Sequence, residues 1–298
     1  MPRPPGAPDS PESPITHAGL IALVGRTNVG KSSLVNALVG AKVSIVTPKP
    51  QTTRHPVHGV VNRGHTQFVF VDTPGFFQTR RSRLVDRLHE RARTALEGID
   101  AVLHVVDPTR PIGAEDEMVV EALAAASQPR ILCINKSDLD RRPHRAEWMS
   151  RSGGYAAVIE TSAVSRSGLT ELLVALQACL PLSPPLYGPG ETSNTHRDFR
   201  LAEVIREKVY LLTEAEVPYR TGIELDLVEE RTGRAGKTFT HIKAAILVAA
   251  ERYKGMLVGA QGQKIRAIGT AARRDLEAIL GGQVFLDLAV LVDPTLDL

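Results

Sequence analysis

Cysteine is scarce: the 298 residues hold two, Cys133 and Cys179. That excludes a disulfide-stapled scaffold and a cysteine-built metal cluster, and neither residue has the sequence neighbours of a redox pair. Aromatics make up only 4% of the chain, so its cores must be assembled from Val, Leu, Ile and Ala. No apolar run approaches the roughly 18 residues of a membrane span, and the N-terminus lacks a charged-then-apolar signal region. A large charge of one sign is missing too, since 36 Lys and Arg face 33 Asp and Glu for a net +3. These absences leave a globular chain suited to a reducing, cytosolic setting.

What is present is organised in blocks. The length suits two cores at a prior of about 150 residues each. Residues 1–16 are Pro-rich and without periodicity, which predicts a flexible leader. From Leu20, apolar runs alternate with amphipathic stretches. LIALVG, TQFVFVDTPG, IDAVLHVVD, PRILCINKSD and YAAVIETSA read as buried strands, and KSSLVNALVG and LTELLVALQACL as helices. This alternation predicts an α/β domain over 17–181 with a mainly parallel, doubly wound sheet. Prolines and glycines crowd 182–196, a predicted linker. Residues 197–298 change rhythm to helix, strand, strand, helix, helix, strand, which predicts a smaller α+β domain.

Charge is segregated within that second domain. Arg231 to Arg274 carries ten basic residues against one acid, Glu251, whereas Arg197 to Glu230 carries five bases against nine acids. One electropositive face is the expected result.

Gly25-Arg-Thr-Asn-Val-Gly30-Lys31-Ser32 fits the phosphate-loop pattern G-x-x-x-x-G-K-S/T and lies between a buried strand and a helix. Its glycines let backbone N–H groups of the loop, Val29 and Ser33 included, turn toward phosphates. Lys31 reaches the terminal oxygens, and Ser32 offers a hydroxyl to Mg²⁺. Asp72-Thr-Pro-Gly75 ends a second strand. Asp72 there can hold the metal through water, and the Gly75 amide can meet a γ-phosphate. Asn135-Lys-Ser-Asp138 ends the fourth strand. The Asp138 carboxylate can accept both N–H donors that guanine presents and adenine lacks, which favours GTP over ATP. Asn135 and Lys136 would line the base, and Thr161-Ser162-Ala163 would offer a backbone N–H to the guanine oxygen. All four elements end strands on the sheet edge where open α/β folds bind ligands.

With these motifs the sequence resembles the GTPase superfamily, in the branch whose phosphate loop reads G-x-x-N-V-G-K-S. The resemblance implies that Pro50-Gln-Thr-Thr-Arg-His55 is a first switch, with Thr53, or failing it Thr52, contacting Mg²⁺ and the γ-phosphate. It implies catalytic roles for Lys31, Thr53, Asp72 and Gly75, and it makes Asn28 a K⁺-ligand candidate, a structural loop hydrogen bond being the alternative. Phe76 stands where many GTPases carry a water-orienting glutamine. A phenyl ring cannot align water, so slow intrinsic turnover is expected.

In the second domain, Gly259-Ala260-Gln261-Gly262 is a G-x-x-G loop leading into a basic amphipathic helix. Gly259 and Gly262 allow close approach of sugar-phosphate. Lys264, Arg266 and Arg273 can neutralise it while Ile265 and Ile268 face the core. That is the pattern of a KH domain binding single-stranded RNA; a tight helical turn with solvated basic residues is the plain alternative. A further arginine run (Arg80, Arg81, Arg83, Arg87, Arg91, Arg93) reads as a solvated helix face or an RNA contact.

The combination of this GTPase loop with VGxxGxKIxxIG, and with AEVIREK, VPY, AARRDL and AEDEM, resembles the Era GTPase family over roughly Leu20 to Val292. The family implies a P-loop GTPase domain followed by a type II KH domain. It also implies slow GTP hydrolysis with Mg²⁺, binding to 16S rRNA near its 3′ end and to the 30S subunit, and a role in ribosome biogenesis. A monomeric cytoplasmic protein is expected, with peripheral contact at the inner face of the cell membrane as a further partner. Two other readings follow from the same residues: a GTP-sensing RNA-binding module with negligible hydrolysis, and a relative of the tRNA-modification or double-domain GTPases. The chain departs from the family pattern in its Pro-rich leader and in ending six residues after Val292.

Overall fold

The computed structural model describes residues 14–49, 52, 56–72, 97–233 and 236–296. The described residues up to Ser44 and from Pro56 to Asn194 form one compact unit; those of Ile45–Thr52 and from Thr195 onward form a second.

In the first unit the chain runs β1 (His17–Val24), α1 (Lys31–Val39), β2 (Val57–Arg63), β3 (Thr66–Asp72), β4 (Ala101–Val106), α2 (Ala114–Ala124), β5 (Arg130–Ile134), α3 (Arg145–Ser150), β6 (Ala157–Glu160) and α4 (Leu169–Gln177). The six strands lie in the order β2-β3-β1-β4-β5-β6. All pairs are parallel except β2 with β3, a hairpin turning at Gly64. The central strands β1, β3, β4 and β5 are buried on both faces, which is why they read as continuous apolar runs. Ile21, Leu23, Leu103, Val105 and Ile131 pack under α1 and α4 against Leu34, Leu38, Leu172 and Leu176. Alternate residues Ala22, Val24 and Val102 face the other way, toward Val119 and Leu123 of α2, and Val106, Leu132 and Ile134 toward Trp148 of α3. Burying each such side chain contributes about 1.5–3 kcal/mol.

Residues 182–196, expected to link the domains, lie against the first sheet up to Asn194. Buried Gln67 accepts the Leu186 and Tyr187 N–H groups at 2.7 and 2.9 Å, and its amide donates to the Tyr187 carbonyl at 3.0 Å. Val60 donates to the Thr192 carbonyl at 2.9 Å. The outer edge of β2 is thereby covered, as an edge strand requires.

The second unit runs α5 (Arg197–Leu212), β7 (Thr221–Thr232), β8 (Thr238–Val248), α6 (Glu251–Val258), α7 (Gln263–Leu280) and β9 (Val284–Val292). Its sheet has the order β7-β8-β9, antiparallel then parallel. Leu201, Val204 and Ile205 of α5 meet Ile242, Ala244, Ala272 and Leu276 in one cluster. Val209, Ile246, Val248, Leu257, Ile268 and Val290 form the next.

The expected 17–181 domain is interrupted, because Ile45–Thr52 belongs with the second unit. The reason is a buried charge network on α5, where Arg206 and Glu207 are only 4% and 3% exposed. Glu207 accepts the Val46 N–H at 2.9 Å, and Arg206 donates to the Thr52 carbonyl at 2.6 Å. Lys49 donates to the carbonyls of Tyr210 and Thr213 at the end of α5. Lys208 bridges Glu207 and Asp275 at 2.7 and 2.5 Å. Buried charges persist only when partnered in this way.

Candidate functional site: a nucleotide cradle and a basic groove

The phosphate loop leaves β1 through Gly25 and enters α1 through Gly30. Gly25 has φ +146°, and a Cβ there would meet the Val105 carbonyl oxygen at 2.2 Å. Gly30 has φ +101°, and a Cβ would meet the Asn135 amide nitrogen at 2.4 Å. Only glycine fits either position. Asn28 also adopts a left-handed backbone, φ +63°, which asparagine tolerates better than most residues. Lys31 folds back over the loop and donates to the carbonyls of Gly25 and Arg26 at 2.8 and 2.9 Å. Burial pulls its ammonium below the ordinary lysine range, opposed by the charges of Asp72 and Glu115. Ser32 and Ser33 occupy the first turn of α1, which has no acidic residue. Asp72, fully buried, ends β3.

The base loop is tied to this cradle. Asn135 donates to the Val29 carbonyl at 2.9 Å and accepts from the Thr161 hydroxyl at 3.3 Å. Thr161 meets the Cys133 thiol at 3.0 Å, and burial pushes that thiol up to about 12. Ser162 donates its hydroxyl to Asp138 at 2.5 Å and accepts the N–H groups of Val164 and Ser165. The hydroxyl therefore orients the Asp138 carboxylate while its own lone pairs are used. Lys136 lies 2.5 Å from the Asp107 carboxylate. The sequence-derived residues Gly25, Asn28, Val29, Gly30, Lys31, Ser32, Ser33, Asp72, Asn135, Lys136, Asp138, Ser162 and Ala163 thus share the carboxyl edge of one sheet. Thr53, Gly75, Phe76 and the arginines from Arg80 to Arg93 lie outside the described residues.

In the second unit, Gly259 (φ +69°), Gln261 (φ +49°) and Gly262 (φ +73°) form three left-handed positions within four residues. A Cβ on Gly259 would come within 2.9 Å of Lys264 Cβ, whereas Gly262 has open space and is required for its φ alone. Gln261 is not glycine, and holding it there costs about 1 kcal/mol. The loop opens into a groove of about 420 Å³ between α7 and β9, lined by Gly262, Ile265, Arg266, Gly269, Thr270 and Arg273 on the helix side. Lys264 packs against Gly259 and is not part of that lining. The opposite wall is Val284, Phe285, Leu286 and Leu288. This wall has no local signature: VFLDLAVLV registers as a strand, and only its pairing beside β8 shows which side remains open. Phe285 of this wall is 58% exposed, and its ring meets His241 edge to face with 5.2 Å between centroids.

Fold and site together define a P-loop GTPase carrying a KH domain. A family model described as 50S ribosome-binding GTPase matches residues 20–136, and one described as KH domain matches 226–295. The chain is 35% identical over 278 residues to GTPase Era of Carboxydothermus hydrogenoformans, covering 92% of each. With GTPase Era of Thermoanaerobacter pseudethanolicus it shares 36% over 276 residues, covering 92% of this chain and 90% of that one. It is similar to a crystal structure of Era in complex with MgGDPNP and nucleotides 1506–1542 of 16S ribosomal RNA, with a TM-score of 0.80 at 33% identity over 94% of this chain and 95% of that chain. A crystal structure of an Aquifex aeolicus Era variant bound to GDP and AlF4⁻ matches with the same TM-score and coverage at 34% identity. The chain belongs to the Era GTPase family.

Proposed function

We propose that this GTPase is a nucleotide-gated binder of 16S rRNA near its 3′ end, acting on the small ribosomal subunit during its biogenesis. The observation that supports it is the pairing, in one chain, of a preformed guanine cradle with an open basic groove. A relative 33% identical over 94% of this chain was crystallised with MgGDPNP and that rRNA segment.

In this reading the first-turn amides of α1 and the loop N–H groups take the phosphates, and Lys31 exchanges its loop carbonyls for phosphate oxygens. A phosphate oxygen gives the buried Lys31 ammonium a charged acceptor in place of two neutral carbonyls, and such charge-assisted bonds are the stronger ones. Asp138 takes the guanine edge, oriented by Ser162, and Lys136 and Asn135 line the base. The donor set of a hydroxyl and a buried carboxylate, Ser32 and Asp72, is all oxygen and suits Mg²⁺. When bound, Mg²⁺ would neutralise charge on the phosphates. Thr53 and Gly75 complete the proposed hydrolytic set, and Asn28 is the proposed K⁺ ligand. On the RNA side, Gly259, Ala260, Gln261 and Gly262 admit the backbone. Arg266 and Arg273 meet phosphate beside the groove, with Lys264 near its mouth.

Among the described residues no helix is long and apolar enough to cross a membrane. Cytoplasmic location with peripheral membrane contact stays within this proposal, carried by family membership.

The test is binding of the 16S 3′ segment by the purified chain loaded with GDPNP or GDP, together with phosphate release in K⁺ and in Na⁺. Tighter RNA binding in one nucleotide state is expected, with faster turnover in K⁺. Equal RNA affinity in both states would remove the gating claim, and equal turnover would remove the role of Asn28.

A further inference from the structure

At the carboxyl end of β4 the chain turns through Asp107-Pro-Thr-Arg110. The Asp107 side chain is 2% exposed. Its Oδ1 accepts both the N–H and the hydroxyl of Thr109, at 3.0 and 2.6 Å. That fixes the carboxylate plane and leaves Oδ2 for two cations, Lys136 Nζ at 2.5 Å and Arg110 Nε at 3.2 Å. Arg110 then donates Nη2 to the Thr27 carbonyl at 3.0 Å, inside the phosphate loop. A single dry carboxylate therefore lies between a cation on the base loop and a cation clamped to the phosphate loop.

We infer that Asp107 is a positioning residue for the guanine-nucleotide site, coupling Lys136 on the base side to Arg110 and Thr27 on the phosphate side. The inference rests on the nucleotide site proposed above. Lys136 sits at φ +61°, at the bend of the base loop, with a long side chain that has many rotamers in water. A buried acceptor selects one of them, and Thr109 keeps the acceptor from rotating away. Burial alone would raise the Asp107 pKa, yet bonds from Lys136 and Thr109 hold it below the ordinary carboxylate range, so the group stays charged whenever GTP is bound near neutrality. The carboxylate is 2% exposed and its partners Lys136 and Arg110 are 31% and 35% exposed, so salt weakens the coupling less than it weakens a fully exposed ion pair.

The experiment is a double-mutant cycle on the full chain, read as GDP affinity by titration with a fluorescent GDP analogue. Asp107→Asn preserves the shape and an oxygen for Thr109, and should weaken GDP binding about tenfold, the scale of losing one hydrogen bond to a charged partner. Lys136→Met should cost about tenfold in the native background and less than about threefold beside Asp107→Asn, because the two act as one unit. Arg110→Met combined with Lys136→Met should be non-additive by at least about threefold, since their link runs through the same carboxylate. This second pair keeps the test alive should Asp107→Asn fail to fold, and unchanged RNA affinity reports an intact second unit. A merely structural Asp107 would lower the melting temperature and give additive losses in affinity. Additive losses in both cycles, with native GDP binding intact, would overturn this inference alone; a native chain that binds no GDP would overturn the nucleotide site and this inference with it.

Discussion

The two units present their candidate phosphate-binding groups in opposite ways. In the first, the polar groups that would meet the nucleotide are bonded to one another, Asn135 to Val29, Thr161 to Asn135, Ser162 to Asp138 and Lys31 to the loop carbonyls, with Asn135, Thr161 and Ser162 buried and Asp138 exposed at the rim. In the second, Arg266 and Arg273 stand exposed on one helix beside an open groove, and the buried charges, Arg206, Glu207 and Lys208, serve the internal structure. A small ligand that can be enclosed rewards a rigid, dry cradle in which each hydrogen bond discriminates. A polymer that must slide in sideways rewards an accessible charged surface, whose binding rises and falls with salt.

The comparison can be broken most directly at Asp138. Asp138→Asn should cost GTP about two orders of magnitude in affinity or more and shift preference toward xanthine nucleotides, with RNA affinity measured without nucleotide unchanged. A variant that remains strictly GTP-selective would show that Asp138 does not read the base.

Acid should separate the halves next. His104 is fully buried in the first unit, its Nδ1 is 2.7 Å from the Tyr155 hydroxyl, and burial, aided by the charges of Lys31 and Arg130, lowers its pKa from 6.5 to about 3. The unfolded chain takes up a proton near pH 6.5 that the folded one refuses until about pH 3. Stability is therefore complete above pH 6.5 and falls as the pH drops toward 3, by up to about 3 kcal/mol at pH 4. Thermal melts from pH 7 to 4 should show this fall in the native chain and a shallower one in His104→Gln. Parallel pH profiles would remove His104 as the source.

In the second unit, Ala260→Asp with Gln261→Asp places carboxylates in the G-x-x-G loop and should weaken RNA binding about tenfold by repelling phosphate, with GDP affinity unchanged. Unaltered RNA affinity would move the RNA off this loop. The smallest effect is the most diagnostic of mechanism. Arg266→Gln should lower the slope of log affinity against log salt by about 0.7, one phosphate contact on a single strand. An unchanged slope would mean that Arg266 lines the groove without touching phosphate.

Local motifs made the nucleotide half readable. The glycines of the phosphate loop, Asp72, the Asn135–Asp138 run and Ser162 with Ala163 each sit at the end of an apolar run, and a parallel sheet brings such ends to one edge. Less was visible where the signal is not local. β2 is short and carries His58, Gly59 and Asn62 among its valines, so it does not announce itself as a strand. Asp107 stood in plain view at the end of IDAVLHVVD, yet nothing in that run indicates that Lys136, far along the chain, would reach it. The G-x-x-G loop was legible, but the wall of Phe285, Leu286 and Leu288 was not, because a strand's open edge is defined by the strand it lacks.

The sequence by itself determined the two-core plan, the P-loop GTPase and KH classes and the basic helix, because strand ends, left-handed glycines and charge runs are properties of neighbouring residues. Only the tertiary structure decided that Ile45–Thr52 is held by Arg206 and Glu207, and that residues 182–194 cover the edge of the first sheet. Both outcomes are set by buried polar groups that must find a partner somewhere in the folded chain. Which partner satisfies them depends on distance in space, which local sequence does not contain.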